Sequence, residues 1–137
     1  MPGRAPLLRA GDLFAVRVIV NGAYELNMLV DTGSAFTLIA EDWAEEFRFR
    51  LEPPLRSVGL ATVERLAGPL ILGRLGSLQV GGALVRGIEA GLMRLPDALR
   101  VDGILGLSFL RSFRVTFEFD SSMLVLREPP PAGRASR

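Results

Sequence analysis

The sequence contains no cysteine and no histidine, and its 16 basic residues are all arginine. Ser–His–Asp, Cys–His and Ser–Lys catalysis therefore cannot be assembled within the chain. Zinc sites built on His or Cys are excluded. So are a lysine Schiff base and a phosphate-binding P-loop, which needs its lysine. An enzyme made from these residues must do its acid–base work with carboxylates or through a cofactor. The missing cysteine leaves the redox compartment open.

Charge runs and long apolar runs are missing too. The 16 arginines face 15 acids, for a net charge of +1, and both signs are scattered along the chain. There is no basic stripe of the kind a nucleic-acid partner requires. No uncharged apolar stretch reaches the ~18 residues of a membrane helix. The stretch from Leu75 to Val85 is uncharged but short, and Gly76, Gly81 and Gly82 interrupt it. Arg17 breaks the apolar stretch from Leu13 to Val20. No secretory leader is evident. These absences argue against nucleic-acid and membrane partners and make a cytoplasmic location the default.

What remains is a globular composition. The chain has 137 residues, 49% of them hydrophobic, and a mean hydropathy of +0.32. That suits one domain with a core that needs no disulfide. Residues 1–11, rich in Pro, Gly and Arg, are expected to be a loose N-terminal segment. The domain is expected over 12–128, followed by a disordered Pro-rich tail over 129–137.

Leu13 to Val20 alternates as a strand, with Val16, Val18 and Val20 on one face. Asn21-Gly22 is a strong type I′ hairpin signal, and Tyr24 to Val30 is its return strand. A short strand is expected at Phe36 to Ala40 and a short helix at Glu41 to Phe47, with Trp43 and Phe47 on one face. Pro53-Pro54 is expected to end that region. From Arg56 to Val85, β-type runs alternate with glycines and read as two or more hairpins. Ala90 to Arg100 reads as irregular. Ser108 to Phe113 suits one or two helical turns. Arg114 to Phe119 and Met123 to Arg127 read as strands joined by a turn at Asp120-Ser121-Ser122. Seven to nine strands, with turns every 8 to 12 residues or so, predict an all-β barrel or sandwich with one or two short helices.

The stretch that can carry chemistry is Met28-Leu29-Val30-Asp31-Thr32-Gly33-Ser34. A strand of large apolar residues delivers a carboxylate into a turn of small ones. A carboxylate in such surroundings must be held by hydrogen bonds. Gly33 lets backbone approach it, and Thr32 and Ser34 offer hydroxyls. Apolar runs on both sides predict that Asp31 lies deep. The same four residues are also ordinary turn formers.

Leu29-Val30-Asp31-Thr32-Gly33-Ser34-Ala35 resembles the active-site signature of aspartic proteases. The family's second element, two apolar residues and a glycine about 70 residues later, is matched by Ile104-Leu105-Gly106. Length, a single Asp-Thr-Gly and the order of elements resemble the retropepsin-like group over about Leu13 to Arg127. Leu107 stands where retroviral enzymes tend to have Arg, which is more similar to the bacterial and cellular relatives.

The resemblance implies a closed β-barrel with its active site at a homodimer two-fold axis. Asp31 would be the catalytic carboxylate. Thr32 would bond across the axis to its copy. Gly33 would bring backbone N–H groups to the carboxylate, and Ser34 would hydrogen-bond its outer oxygen. Ile104, Leu105 and Gly106 would pack behind the loop. A flap would cover the substrate, placed at Gly59, Leu60, Ala61, Thr62 and Val63 or at Arg65 to Pro69; neither stretch has an aromatic residue.

Such an enzyme needs no cofactor and no metal, only two carboxylates sharing a proton. The chain has one Asp-Thr-Gly. Asp120-Ser121-Ser122 lacks the glycine and reads as a hairpin turn, Asp102 as a cap or turn residue, and Asp97 as a loop residue. The pair must then come from two chains, which implies a homodimer acting on extended polypeptide, with apolar subsites. The alternative is a retropepsin-like dimeric module that binds peptide or assembles without cutting. Arg111, Arg114 and Arg127 are candidate ion-pair partners for Glu118 or Glu128.

Overall fold

The structure, a computed structural model, describes residues 3–43, 52–58 and 70–129. The candidate flap residues Gly59, Leu60, Ala61, Thr62 and Val63, the alternative at 65–69, Phe47 and the tail from 130 lie outside the described residues.

The local signals hold at the first hairpin. β3 (Leu13–Val20) and β4 (Tyr24–Val30) pair antiparallel, with Val16 opposite Met28 and Val20 opposite Tyr24. Asn21 and Gly22 take φ of 54° and 71°, the double positive φ of a type I′ turn, whose twist matches the strands it joins. Val16, Val18 and Val20 are fully buried, as their alternation requires. Asn21 also locks the turn onto a neighbour. Its Oδ1 accepts the Gly76 and Ser77 N–H groups at 2.9 and 3.2 Å.

Downstream lie β5 (Thr37–Ala40), β6 (Glu52–Val58), β7 (Leu70–Val80) and β8 (Ala83–Met93). Glu41–Trp43 forms a 3-10 turn. Pro53-Pro54, expected to end the helical region before it, sits inside the strand that follows, β6. That strand is a sheet edge, where a missing N–H is tolerated, and its pairing with β7 shifts register between Glu52 and Arg56. The expected turn at Gly81-Gly82 joins β7 to β8. Ala90 to Met93, read as irregular, is instead the end of β8 and pairs in parallel with β5, Thr37 opposite Ala90 and Ala40 opposite Met93. Non-local pairing of this kind leaves no local periodic trace.

β9 (Gly103–Leu105), the short helix α1 (Leu107–Leu110), β10 (Arg114–Glu118) and β11 (Met123–Arg127) are the last elements among the described residues. An eight-stranded sheet runs β2-β3-β4-β9-β5-β8-β7-β6, where β2 is Leu8–Ala10. A further pairing of β3 with β7, Ile19 opposite Gln79, closes β3, β4, β9, β5, β8 and β7 into a barrel. The fold is mostly β with a closed barrel, as expected, and among the described residues it has one short α-helix.

The N-terminal segment is not loose. β1 (Gly3–Pro6) pairs antiparallel with β11, and β2 with β3. Ala5 and Leu7 are buried in the main core beside Phe109, Leu124 and Leu126. A three-stranded sheet β1-β11-β10 thus packs on the barrel. Short strands flanked by Pro and Gly carry little pattern of their own, so partners more than a hundred residues away define them. Among the described residues, no helix is long and apolar enough to cross a membrane.

Candidate active site

β4 ends at Val30, and the chain turns through Asp31-Thr32-Gly33-Ser34. The turn is held from inside. The Gly33 N–H donates to Asp31 Oδ1 at 2.9 Å, and the Ser34 N–H donates to the Asp31 carbonyl at 3.2 Å. A Cβ built on Gly33 would lie 3.2 Å from the same Oδ1, closer than most real contacts. A glycine here lets backbone reach the carboxylate without crowding it.

The turn is held from behind as well. β9 inserts between the two strands that flank it, parallel to β4 and antiparallel to β5, with Ile104 opposite both Leu29 and Leu38. The Asp31 N–H donates to the Leu105 carbonyl at 3.0 Å. Where β9 passes into α1, the Leu107 N–H donates to Ser34 O at 2.7 Å and the Ser108 N–H to Ala35 O at 3.0 Å. Gly106 is the crossing point. A Cβ there would run into the Phe36 carbonyl and lie 2.6 Å from the Ser34 carbonyl. Ile104, Leu105 and Gly106 are all buried behind the loop. Ile104 packs with Leu29, Leu38, Leu72 and Met93, and Leu105 lies in the main core.

Ser34 departs from expectation. Its hydroxyl donates to the Phe36 carbonyl at 2.9 Å rather than to the Asp31 carboxylate. Asp31 itself is half-buried, not deep, and Thr32, Gly33 and Ala35 are exposed in the single chain. Among the described residues, no second aspartate bonds to Asp31. Asp120 lies in the β10–β11 turn, and Asp97 begins a 3-10 turn. Among the described residues, no three carboxylates converge as a metal site would require.

Two supports of the loop carried no signature in the sequence. Thr37 and Ser108 form a buried polar pair. The Ser108 hydroxyl donates to Thr37 Oγ1 at 2.9 Å, the Thr37 N–H donates to Ser108 Oγ at 3.0 Å, and the Gly106 N–H donates to Thr37 Oγ1 at 3.2 Å. Asp102 is the second. Its Oδ2 accepts the Asn27 N–H at 2.9 Å, and its Oδ1 faces Trp43 Nε1 at 3.4 Å. Its own N–H donates to Asn27 O, and its carbonyl accepts the Ala40 N–H, each at 2.8 Å. Asp102 therefore brackets β4 and β5 just before β9 passes between them. Asp102, beside Gly103, reads as a cap or turn residue and Ser108 as the start of a helical turn, and only their partners in the fold reveal them as supports.

A cleft of about 550 Å³ opens beside the loop, lined by Arg9, Asp12, Leu13, Leu29, Leu99 and Arg100 among others. Asp31 is not in its wall, but Leu29, two residues earlier in β4, is.

A loop carrying one aspartate, clamped by an apolar-apolar-glycine strand threaded between its two flanks, is the arrangement that the sequence resemblance implies. The sequence model of the aspartyl protease family matches residues 16–109, from β3 through the site loop to α1. The chain belongs to the aspartyl protease family. No curated protein sequence matches it. The fold agrees with the family. A retropepsin-like aspartic protease from Rickettsia conorii superposes with a TM-score of 0.60 at 23% identity, over 92% of this chain and 89% of that one. The retroviral protease-like domain of Ddi1 from Leishmania major superposes at 0.57 and 16% identity, over 86% of this chain and 94% of that one. This aspartyl protease family member thus has the retropepsin-like fold.

Proposed function

We propose that the protein is an aspartic endopeptidase that acts as a homodimer on extended polypeptide, with one Asp31 from each chain. The observation that carries this reading is the Gly33 N–H bond to Asp31 Oδ1 at 2.9 Å in a loop clamped by Leu105, Leu107 and Ser108. It holds one oxygen of a carboxylate that stays half-buried. One carboxylate cannot both activate water and protonate a carbonyl in the same step. Two close together can, because they cannot both ionise and so share one proton. The ionised one takes a proton from water, the water attacks the scissile carbonyl, and the protonated one hydrogen-bonds the carbonyl oxygen. The pair titrates as a unit. In this reading Thr32, exposed beside Asp31, meets its copy across the axis.

The cleft beside Leu29 would take substrate side chains. Its wall holds Leu13, Leu29 and Leu99 together with Arg9, Asp12 and Arg100.

The test is hydrolysis of denatured casein from about pH 3 to pH 8 by the wild type and by Asp31→Asn. A shared-proton pair gives a bell-shaped profile that vanishes in the variant. No cleavage by the wild type, at concentrations where it is dimeric, would overturn the proposal in favour of a binding or assembly module.

A further inference from the structure

The cleft beside Leu29 carries charges that peptide hydrolysis does not use. Three of its lining residues are leucines: Leu29 is buried, Leu99 half-buried and Leu13 exposed. Arg9, Arg100 and Asp12 line it too, so two guanidiniums stand against one carboxylate. Among the described residues, neither arginine forms an ion pair, not even with Asp12. Arg100 also borders a second, smaller hollow with Asp42, Asp97 and Asp102, and it pairs with none of them.

Both arginines are set in place by the backbone that carries them. Arg9 lies opposite Phe14 in the β2–β3 ladder. Its guanidinium carbon is 5.4 Å from the centre of the Phe14 ring, a cation–π contact that orients the charge without neutralising it. Arg100 ends the 3-10 turn at Asp97–Leu99, and its N–H donates to the Asp97 carbonyl. Its φ of 55° is left-handed, a cap conformation that glycine or asparagine takes at less cost. A long charged side chain at such a position points to function rather than to fold.

A substrate side chain entering the cleft displaces water from these guanidiniums. An apolar side chain leaves them less solvated and still unpaired, which is unfavourable. A carboxylate offers them charge-assisted, bidentate hydrogen bonds. Leu29 lies two residues before Asp31 in β4, about 7 Å along an extended strand. An extended substrate advances by the same rise. A side chain in the cleft therefore belongs to a residue within about two positions of the bond facing Asp31.

We propose that Arg9 and Arg100 select an acidic side chain, so that the protein cuts polypeptides within about two residues of a Glu or Asp. This rests on the reading of Asp31 as the catalytic carboxylate. In a homodimer the two-fold axis repeats the cleft, and the preference extends to both sides of the bond.

The test is affinity selection from a pool of randomised decapeptides, acetylated and amidated so that only side chains carry charge, read by mass spectrometry. The whole chain bearing Asp31→Asn is the bait, which holds peptides without cutting them. Peptides with Glu or Asp should be enriched about tenfold or more over those with Gln or Asn. Arg9→Gln and Arg100→Gln should each reduce the enrichment, and together abolish it. Arg9→Glu with Arg100→Glu should turn the preference to Arg and Lys. Asp12→Asn should sharpen the acidic preference, because it removes the competing carboxylate. Arg17→Gln, outside the cleft and paired with Glu25 at 3.6 Å, should change nothing. Both cleft arginines are exposed, and Trp43 emission verifies that each variant is folded. Capture indifferent to acidic residues, or a preference that survives loss of both arginines, would overturn the proposal. Digestion of the same pool by the wild type separates it from the Asp31 reading. Cleavage without acidic residues near the cut overturns the selectivity and spares Asp31. Acid-selective capture without cleavage does the reverse, and neither capture nor cleavage overturns both.

Discussion

The hydroxyl of Ser108, on the short helix behind the site loop, donates to Thr37 Oγ1 at 2.9 Å, and both residues are buried. Thr37 follows the loop in sequence and Ser108 follows β9, so this bond ties together the two segments that hold Asp31 from opposite sides. Thr37→Val keeps the shape but leaves the Gly106 N–H and the Ser108 hydroxyl without an acceptor. A buried group left unsatisfied costs about 1–3 kcal/mol. Urea unfolding of Thr37→Val should show a loss in that range, and Thr37→Ser, which keeps the oxygen, a smaller one.

Gly106 admits no side chain. Gly106→Ala would drive its Cβ into the Phe36 and Ser34 carbonyls, and backbone cannot rotate away as a flexible side chain would. Overpacking of this kind costs about 1–3 kcal/mol and sometimes more. We expect the upper end of that range in chemical denaturation, together with loss of peptidase activity, since the same carbonyls belong to the site loop.

Asp31→Asn should separate chemistry from stability. The asparagine Oδ1 can still accept the Gly33 N–H, so the loop should keep its shape, with stability within about 0.5 kcal/mol of wild type. Peptide hydrolysis should fall by about 10³-fold or more, because the amide can neither take nor share the proton. Equal casein hydrolysis by both proteins would show that Asp31 is not catalytic.

Asp102→Ala removes the acceptor facing the Asn27 N–H and Trp43 Nε1. The expected cost is about 1–2 kcal/mol. Trp43 is the sole tryptophan, so its emission reports on the bracket directly. A shift in the emission maximum of the folded variant is expected, and Asp102→Asn, which keeps one acceptor oxygen, should shift it less.

Much of the scaffold was written locally. Asn21-Gly22 specified its turn because only residues that tolerate positive φ fit there, and the alternating valines of β3 named their buried face. The site loop and Ile104-Leu105-Gly106 were legible through their resemblance to the two aspartic protease motifs, and the structure adds that nothing larger than glycine fits at the crossing. Other features depended on partners distant in sequence. β1 and β2 exist because residues 3–10 find β11 and β3, and the end of β8 exists because it lies along β5. Ser34 turned its hydroxyl to Phe36, and Glu118 met Arg4 rather than Arg111, Arg114 or Arg127. Thr37 and Ser108 became loop supports only once burial left their polar atoms no water to bond, and Asp102 only once β4 and β5 were brought to either side of it. The sequence by itself determined the turn types, the inward faces and the loop that presents Asp31, because φ, side-chain period and functional groups are properties of single residues. Tertiary structure alone decided which hydroxyls are buried, which edges are covered and what holds Asp31 in place, because those depend on segments that meet only when the barrel closes.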